Sequence, residues 1–337
     1  MNTSLDESVK DLIFLKDNNL LTKKNKDDIW TSRANDSQDI LLKNLENTIE
    51  NFRKKELLIN ENPRFRINFI DKLIPYKFLV YRSIIEKYNI LNSEEKNLLK
   101  NELTFSHIGN PYFINYDRTI FNKRWIHNIH YTFLIKKYLM NVLSDDSSVI
   151  IDIGGGYGIL GHMLNRLNYK GTYILVEYPE QLIAAQYFLK ASLKNPKVSN
   201  LKSLYNNPTV INDKLIKEFD FFLCPISTFK KLKLSKIDLI TNFFSFGEMS
   251  EENFNSYQES EIIKNSKYIF YINRFYSHNE YKNNLSMLSY KLNNYKKIYF
   301  DIHKMENYYI RQFYRYLGKK EKTNSQFFEF IGLNEKI

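Results

Sequence analysis

Residues 149–164, Val-Ile-Ile-Asp-Ile-Gly-Gly-Gly-Tyr-Gly-Ile-Leu-Gly-His-Met-Leu, carry the residue types and spacings that most need a ligand to explain them. Gly154, Gly155, Gly156 and Gly158 fall within five positions, although the whole chain of 337 residues has only 10 glycines. Glycine loses more conformational freedom on folding than any other residue, so this concentration implies a turn that needs left-handed angles or close approach. Asp152 is an acid one residue ahead of Ile153 and the turn. Glu177 lies nineteen residues past Gly158, at the end of the apolar run Tyr173-Ile174-Leu175-Val176. A carboxylate so placed accepts hydrogen bonds from the two hydroxyls of a ribose. Farther on, Asn242, Ser245 and Glu248 follow another apolar run, Ile237–Thr241, and Arg274 ends the run Tyr268–Asn273.

The elements that hold these groups follow from periodicity. Val149, Ile150, Ile151 and Ile153 form a β-branched run of the kind that fills a parallel strand buried on both faces. Ile159, Leu160, Met163, Leu164 and Leu167 recur at three- and four-residue spacing, which predicts a helix with one apolar stripe. The unit is strand, glycine turn, helix. Gly156-x-Gly158-x-x-Gly161 also satisfies the dinucleotide fingerprint, which makes a nicotinamide-dependent sugar oxidoreductase or epimerase the alternative reading. In that register the strand runs on through Gly154 and Gly155 and buries Asp152 in its middle. If Gly154 ends the strand instead, the pattern is Asp-x-Gly-x-Gly-x-Gly, which resembles the first motif of Rossmann-like S-adenosylmethionine-dependent methyltransferases. That resemblance implies S-adenosylmethionine as cofactor, held by Asp152, Gly154, Gly155, Gly156, Tyr157, Gly158, Glu177 and Tyr178, with Asp152 receiving the positive amino group of the methionine part directly or through water.

Composition bounds the class. The 43% hydrophobic content supports a real core, and 337 residues allow two domains or one with a large appendage. A formal charge of +11 would fit nucleic acid, but the lysines are scattered among Asn, Ile, Tyr and Phe without a basic window, so no nucleic-acid partner is expected. Cys224 is the only cysteine, which rules out an intrachain disulfide and fits a reducing, cytoplasmic compartment. Residues 1–20 read as neither signal peptide nor membrane span, and no transmembrane segment is expected.

Residues 1–145 read as a helical region and 146–337 as the cofactor-binding domain. Ile40, Leu41, Leu45, Ile49 and Phe52 share a helical face; Asn60–Pro63 is a break; Ile67–Tyr88 is a further amphipathic run interrupted by Pro75; and Ser93 is expected to cap the helix that Glu94 and Glu95 begin. After the break at 106–112, a helix over Asn122–Met140 precedes the cofactor strand and brings Arg124, His127 and His130 toward the cleft. Pro179 and Glu180 suit a helix start. Residues 219–225 predict the third strand, with Asp220 or Cys224 beside the adenine, and Ser250 is expected to cap another helix. The phenylalanines after Asn242 could attract a sulfonium through their ring faces. The aromatic runs 298–303, 308–317 and 326–331 offer three candidates for a final antiparallel pair.

Taken in order, Ile-Gly-Asn-Pro (108–111), Asp-Ile-Gly-Gly-Gly-Tyr-Gly (152–158), Val-Glu-Tyr-Pro-Glu (176–180) and Asn-Phe-Phe-Ser-Phe-Gly-Glu-Met (242–249) resemble the bacterial sugar O-methyltransferase family, over residues 106–275. Tyr178 stands where the family is expected to have Leu in Asp-Leu-Pro, and Glu177 replaces its Asp. The resemblance implies an α/β fold with a mostly parallel Rossmann-like sheet, an antiparallel C-terminal strand and a helical N-terminal region. It also implies methyl transfer to a sugar or glycoside hydroxyl. The expected base is one of Glu248, His127, His130 and His278. Asp220, Asn242 and Ser245 are expected near the cofactor, and Arg124 and Arg274 near the substrate. No compact ligand cluster stands out among six histidines and many carboxylates, so no metal is expected. A non-catalytic adenosyl-binding module and a homo-oligomer both stay open.

Overall fold

The structure, a computed structural model, describes residues 3–23, 31, 38–54, 76–206, 210–277, 281, 283–305 and 326–337. Seven strands make the central sheet: β1 (Val149–Ile153), β2 (Thr172–Glu177), β3 (Phe221–Pro225), β4 (Ile237–Phe243), β5 (Ser266–Arg274), β6 (Lys296–Ile302) and β7 (Phe327–Leu333). Their order across the sheet is β3-β2-β1-β4-β5-β7-β6. The first five are parallel to one another, and β7 runs antiparallel to both β5 and β6. This is the Rossmann-like, mostly parallel α/β sheet with an antiparallel C-terminal strand that the sequence implies. The order reverses between β1 and β4, so a crevice opens outside their carboxyl ends, where open α/β sheets bind ligands.

All five residues of β1 are buried, as a β-branched strand covered on both faces requires. Alternation divides the strands between two apolar layers. Ile150, Tyr173, Leu175, Leu223 and Leu239 join one core, while Val149, Ile151, Ile174, Val176 and Phe222 join the other. The first core also takes the helices α1 (Thr3–Asp17), α2 (Lys123–Tyr138), α3 (Ile159–Arg166) and α4 (Pro179–Ser192). Leu12, Phe52, Trp125 and Phe188 are all within it, so the N-terminal helices and one face of the sheet share one apolar interior.

Local signals set most boundaries. Asn122 caps α2 by accepting from the Trp125 N–H, and Pro179 opens α4. Ser250 caps the helix Glu251–Gln258. The cap at 92–95 differs from expectation: Asn92, not Ser93, accepts the Glu95 N–H, and the Glu95 carboxylate accepts the Asn92 N–H in return, a capping box. The final antiparallel pair uses the first and third aromatic runs, as β6 and β7. The run 308–317, the Asn60–Pro63 break and the first part of the 67–88 run, through Pro75, lie outside the described residues, and the remainder lies in the helix Tyr76–Ile90. Among the described residues no helix is long and apolar enough to cross a membrane.

Candidate functional site

The glycine turn sits at the carboxyl end of β1, and its shape depends on what lies beneath it. β1 stops at Ile153, and the Gly154 N–H makes a last sheet bond to the Val176 carbonyl at 2.9 Å. Gly154 has φ +74°, and a Cβ there would strike the Ser245 side chain. At Gly155 a Cβ would strike the Asp152 carboxylate. Side chains are therefore excluded at both positions by conformation or contact. α3 begins directly after Gly158.

Asp152 supports this turn from within. It is 1% exposed; its Oδ1 accepts from Thr241 Oγ1 at 2.7 Å and its Oδ2 accepts from the Tyr173 hydroxyl. Burial pushes its pKa up to about 6 against the lowering effect of these two bonds. The carboxylate to which a ligand's amino group is expected, directly or through water, is thus enclosed between β2, β4 and the turn. Asn242 is also fully buried. It donates to the Ile153 carbonyl at 2.8 Å and accepts from the Phe246 N–H at 3.0 Å and from Asn273 at 2.9 Å. Together with Ser245, which lies against Gly154, it pins the end of β1 to the loop after β4.

Glu177 occupies the end of β2, half-buried, with Oε2 accepting from the Tyr178 N–H at 2.8 Å. Burial raises its pKa to about 7, offset in part by the backbone N–H groups of Tyr178 and Gly156. Tyr178 is half-buried at the N-cap of α4. Two residues on, the buried Glu180 carboxylate accepts from the Thr22 N–H at 2.7 Å, the Thr22 hydroxyl at 2.8 Å and Gln38 at 2.7 Å. Glu180 therefore ties the N-terminal region to the helix beside the crevice.

Two expected cofactor residues are elsewhere. Tyr157 is 1% exposed and turns into the helical layer, its ring 5.0 Å from Phe52 and 4.9 Å from Phe188, both edge-on. Within a turn whose neighbours are all glycine, its large apolar ring finds a core to fill. Asp220 precedes β3, so in a parallel sheet it belongs to the edge opposite the crevice. There its carboxylate accepts the Lys197 N–H at 2.8 Å. Cys224 is wholly buried in the second core.

On the far side of the switch point, Arg274 at the end of β5 pairs with Glu248 at 3.6 Å and covers the Phe327 ring at 4.5 Å. Phe244 follows β4 and contacts the rings of Phe327 (4.8 Å), His303 (5.5 Å) and His127 (6.2 Å). His127 is buried on α2, and burial, helped by nearby cationic side chains, holds it well below the usual histidine range, hence neutral. Arg124 is half-buried one turn earlier on α2. His278 lies outside the described residues.

His130 does not present a ring nitrogen to the crevice. Its Nδ1 is 2.5 Å from Glu95 Oε1 and its Nε2 is 2.9 Å from Glu329 Oε1. Burial opposes its charged form, but these carboxylates prevail and hold its pKa at about 9. His303 Nδ1 lies 2.5 Å from the same Glu329 oxygen. Among the described residues, His130, His303 and Glu329 place ligand-type atoms within 4.8 Å of one another, which overturns the expectation that no compact cluster exists. His130 and Glu329 are 199 residues apart in sequence, and no local spacing announces such a group.

No family model matches the chain, and no curated protein matches it. Solved structures to which it is similar include Thermoplasma acidophilum 1320, at 12% identity and a TM-score of 0.38 over 63% of this chain and 91% of that one. Another is M. capricolum TrmK, solved with S-adenosyl-homocysteine, at 11% identity and 0.34 over 60% and 68%. A third is TehB from Haemophilus influenzae, at 10% identity and 0.38 over 64% and 68%. Likeness at these scores carries no argument by itself, so the fold assignment rests on the strand order and on the parallel register of β1–β5.

Proposed function

We propose that this chain is an S-adenosylmethionine-dependent O-methyltransferase acting on the hydroxyl of a sugar or glycoside. One observation carries the cofactor reading: β1 ends at Ile153, so the turn follows the register Asp-x-Gly-x-Gly-x-Gly, with Glu177 at the adjoining strand end. The nicotinamide reading needs Gly156 to end the strand, but Gly156 lies inside the turn at φ +64°. The sugar class is supported by the motif resemblance over 106–275.

In this reading the turn 154–158 cradles the methionine part, and Glu177 accepts from the ribose hydroxyls. S-adenosylmethionine supplies an electrophilic methyl group when bound. The chain's own contribution is first to hold the acceptor oxygen in line, which can supply several kcal/mol of the barrier, whereas a general base typically adds 10²–10⁴-fold. Neutral His127 and the Glu248 carboxylate are the proton acceptors that this reading favours. Arg274 holds Glu248 and is placed to receive a polar group of the acceptor.

Calorimetry tests the cofactor: S-adenosylhomocysteine should bind and NAD should not, and the reverse result refutes the proposal. A methyl-transfer assay over nucleotide sugars and glycosides then tests the acceptor class.

A further inference from the structure

We propose that His130, His303 and Glu329 bind a divalent transition-metal ion that clasps helix α2 to the C-terminal hairpin β6–β7. His130 comes from α2, Glu329 from β7, and His303 from the residue that directly follows β6, so the three meet only in the folded chain.

Four observations converge. The donor atoms are already gathered: His130 Nε2 is 2.9 Å and His303 Nδ1 2.5 Å from Glu329 Oε1, and all three lie within 4.8 Å of one another. Ligands at 2.0–2.2 Å from an ion sit roughly 3–3.5 Å from each other, so side-chain shifts of under about 1 Å would admit it.

The ligand atoms are also oriented from outside. Glu95 Oε1 lies 2.5 Å from His130 Nδ1, which directs Nε2 inward, and Tyr299 donates to Glu329 Oε2 at 2.9 Å, which leaves Oε1 for the ion. Carboxylate-to-histidine bonds behind a ligating ring are the usual outer layer of metal sites.

Charge points the same way. Glu95 and Glu329 are both nearly inaccessible, at 4% and 2% side-chain exposure, and their ion pairs among the described residues run to histidines alone. A divalent cation would take the place of the His130 proton in balancing these two buried carboxylates, leaving imidazole as neutral ligand. Finally, two imidazole nitrogens and one carboxylate oxygen form a donor set for zinc and its transition-metal neighbours, not for magnesium or calcium, which prefer oxygen alone.

The clasp stands independently of the methyltransferase reading. It lies behind the acceptor wall, since the His303 ring packs on Phe244. The test uses the full chain freed of metal with chelator. Zinc chloride is titrated by calorimetry, and cobalt chloride is followed by its visible d–d bands, which report nitrogen and oxygen ligation directly. One zinc per chain, cobalt bands, and a zinc-dependent rise in melting temperature are expected. His130→Asn and Glu329→Gln should each weaken zinc binding at least tenfold while keeping the wild-type circular dichroism. His303→Ala should do the same, and if it fails to fold the other two variants decide. Absence of stoichiometric zinc binding, or unchanged binding and unchanged cobalt bands in folded His130→Asn and Glu329→Gln, overturns the proposal. Magnesium binding with equal affinity would overturn the assignment to a transition metal.

Discussion

The Arg53 guanidinium lies 5.3 Å from the centre of the Tyr157 ring, so the single aromatic residue of the glycine turn is held by a cation from the N-terminal region. Arg53 is fully buried; its Nη1 donates to the carbonyls of Ser106 at 2.6 Å and Ile108 at 3.1 Å, and its guanidinium also faces Phe105 at 5.1 Å. The helical region, the 106–111 segment and the turn are thereby coupled through one side chain.

Replacing Arg53 with alanine removes two carbonyl bonds and the cation above Tyr157. Each buried acceptor left unmet costs about 1–3 kcal/mol, and the ring interaction adds roughly 0.5–2 kcal/mol. Urea unfolding should show a loss of about 3 kcal/mol or more. S-adenosylhomocysteine affinity should fall as well; unchanged stability would refute the coupling.

Gly154→Ala forces a left-handed alanine against Ser245. Left-handed angles at a non-glycine residue cost on the order of 1–3 kcal/mol. The variant should fold yet bind S-adenosylhomocysteine about tenfold more weakly or worse, as read by calorimetry. Adding Ser245→Gly should recover part of the loss, because it relieves the contact and not the backbone angle.

Glu177 is held at about 7 by burial, partly opposed by the N–H groups of Tyr178 and Gly156. An acid with a raised pKa is largely protonated below it, so its acceptor capacity for ribose hydroxyls is complete only above pH 7. Affinity for S-adenosylhomocysteine should therefore rise as pH goes from 6 to 8, by roughly tenfold if only the carboxylate form binds. Glu177→Gln should flatten this profile. A flat wild-type profile would show that Glu177 does not hold the ligand.

His162 is buried between Trp125 and Phe188, with ring separations of 5.6 and 5.1 Å, and burial with nearby Arg166 and Arg53 lowers its pKa to about 3. Its pKa in the unfolded chain is about 6.5. The unfolded state then binds the extra proton first, so the stability due to neutral His162 is present above 6.5 and is lost as pH falls from 6.5 toward 3. Asp152 and Glu177, with raised values, act in the opposite sense over the same range. Comparison with His162→Leu isolates the histidine: wild type should lose about 1–2 kcal/mol more than the variant between pH 6.5 and 5.

Glu248→Gln leaves the shape of the Arg274 contact but removes the charge. If Glu248 takes the acceptor proton, turnover should fall about 10²-fold with S-adenosylhomocysteine affinity unchanged. Full turnover in this variant, with a comparable loss in His127→Ala, would transfer the role to His127.

Much of the fold was legible in the sequence, because strand, turn and helix in 149–164 follow from neighbouring residues. β-branched residues specify the buried strand, clustered glycines the turn, and three- and four-residue spacing the helix. The same holds for the cap at Ser250 and for Glu177 at a strand end. What the tertiary structure decided is which way side chains face and what they meet. Tyr157 faces inward because the helical layer supplies Phe52, Phe188 and Arg53 above it. Asp220 falls on the wrong edge because β3 begins one residue after it and parallel pairing then fixes its end of the sheet. His130, His303 and Glu329 converge because β7 inserts antiparallel between β5 and β6, carrying Glu329 to the same edge as His303 and beneath α2. Local preference acts over a few residues, whereas these contacts join residues up to 199 positions apart, and only the packed layers bring them together.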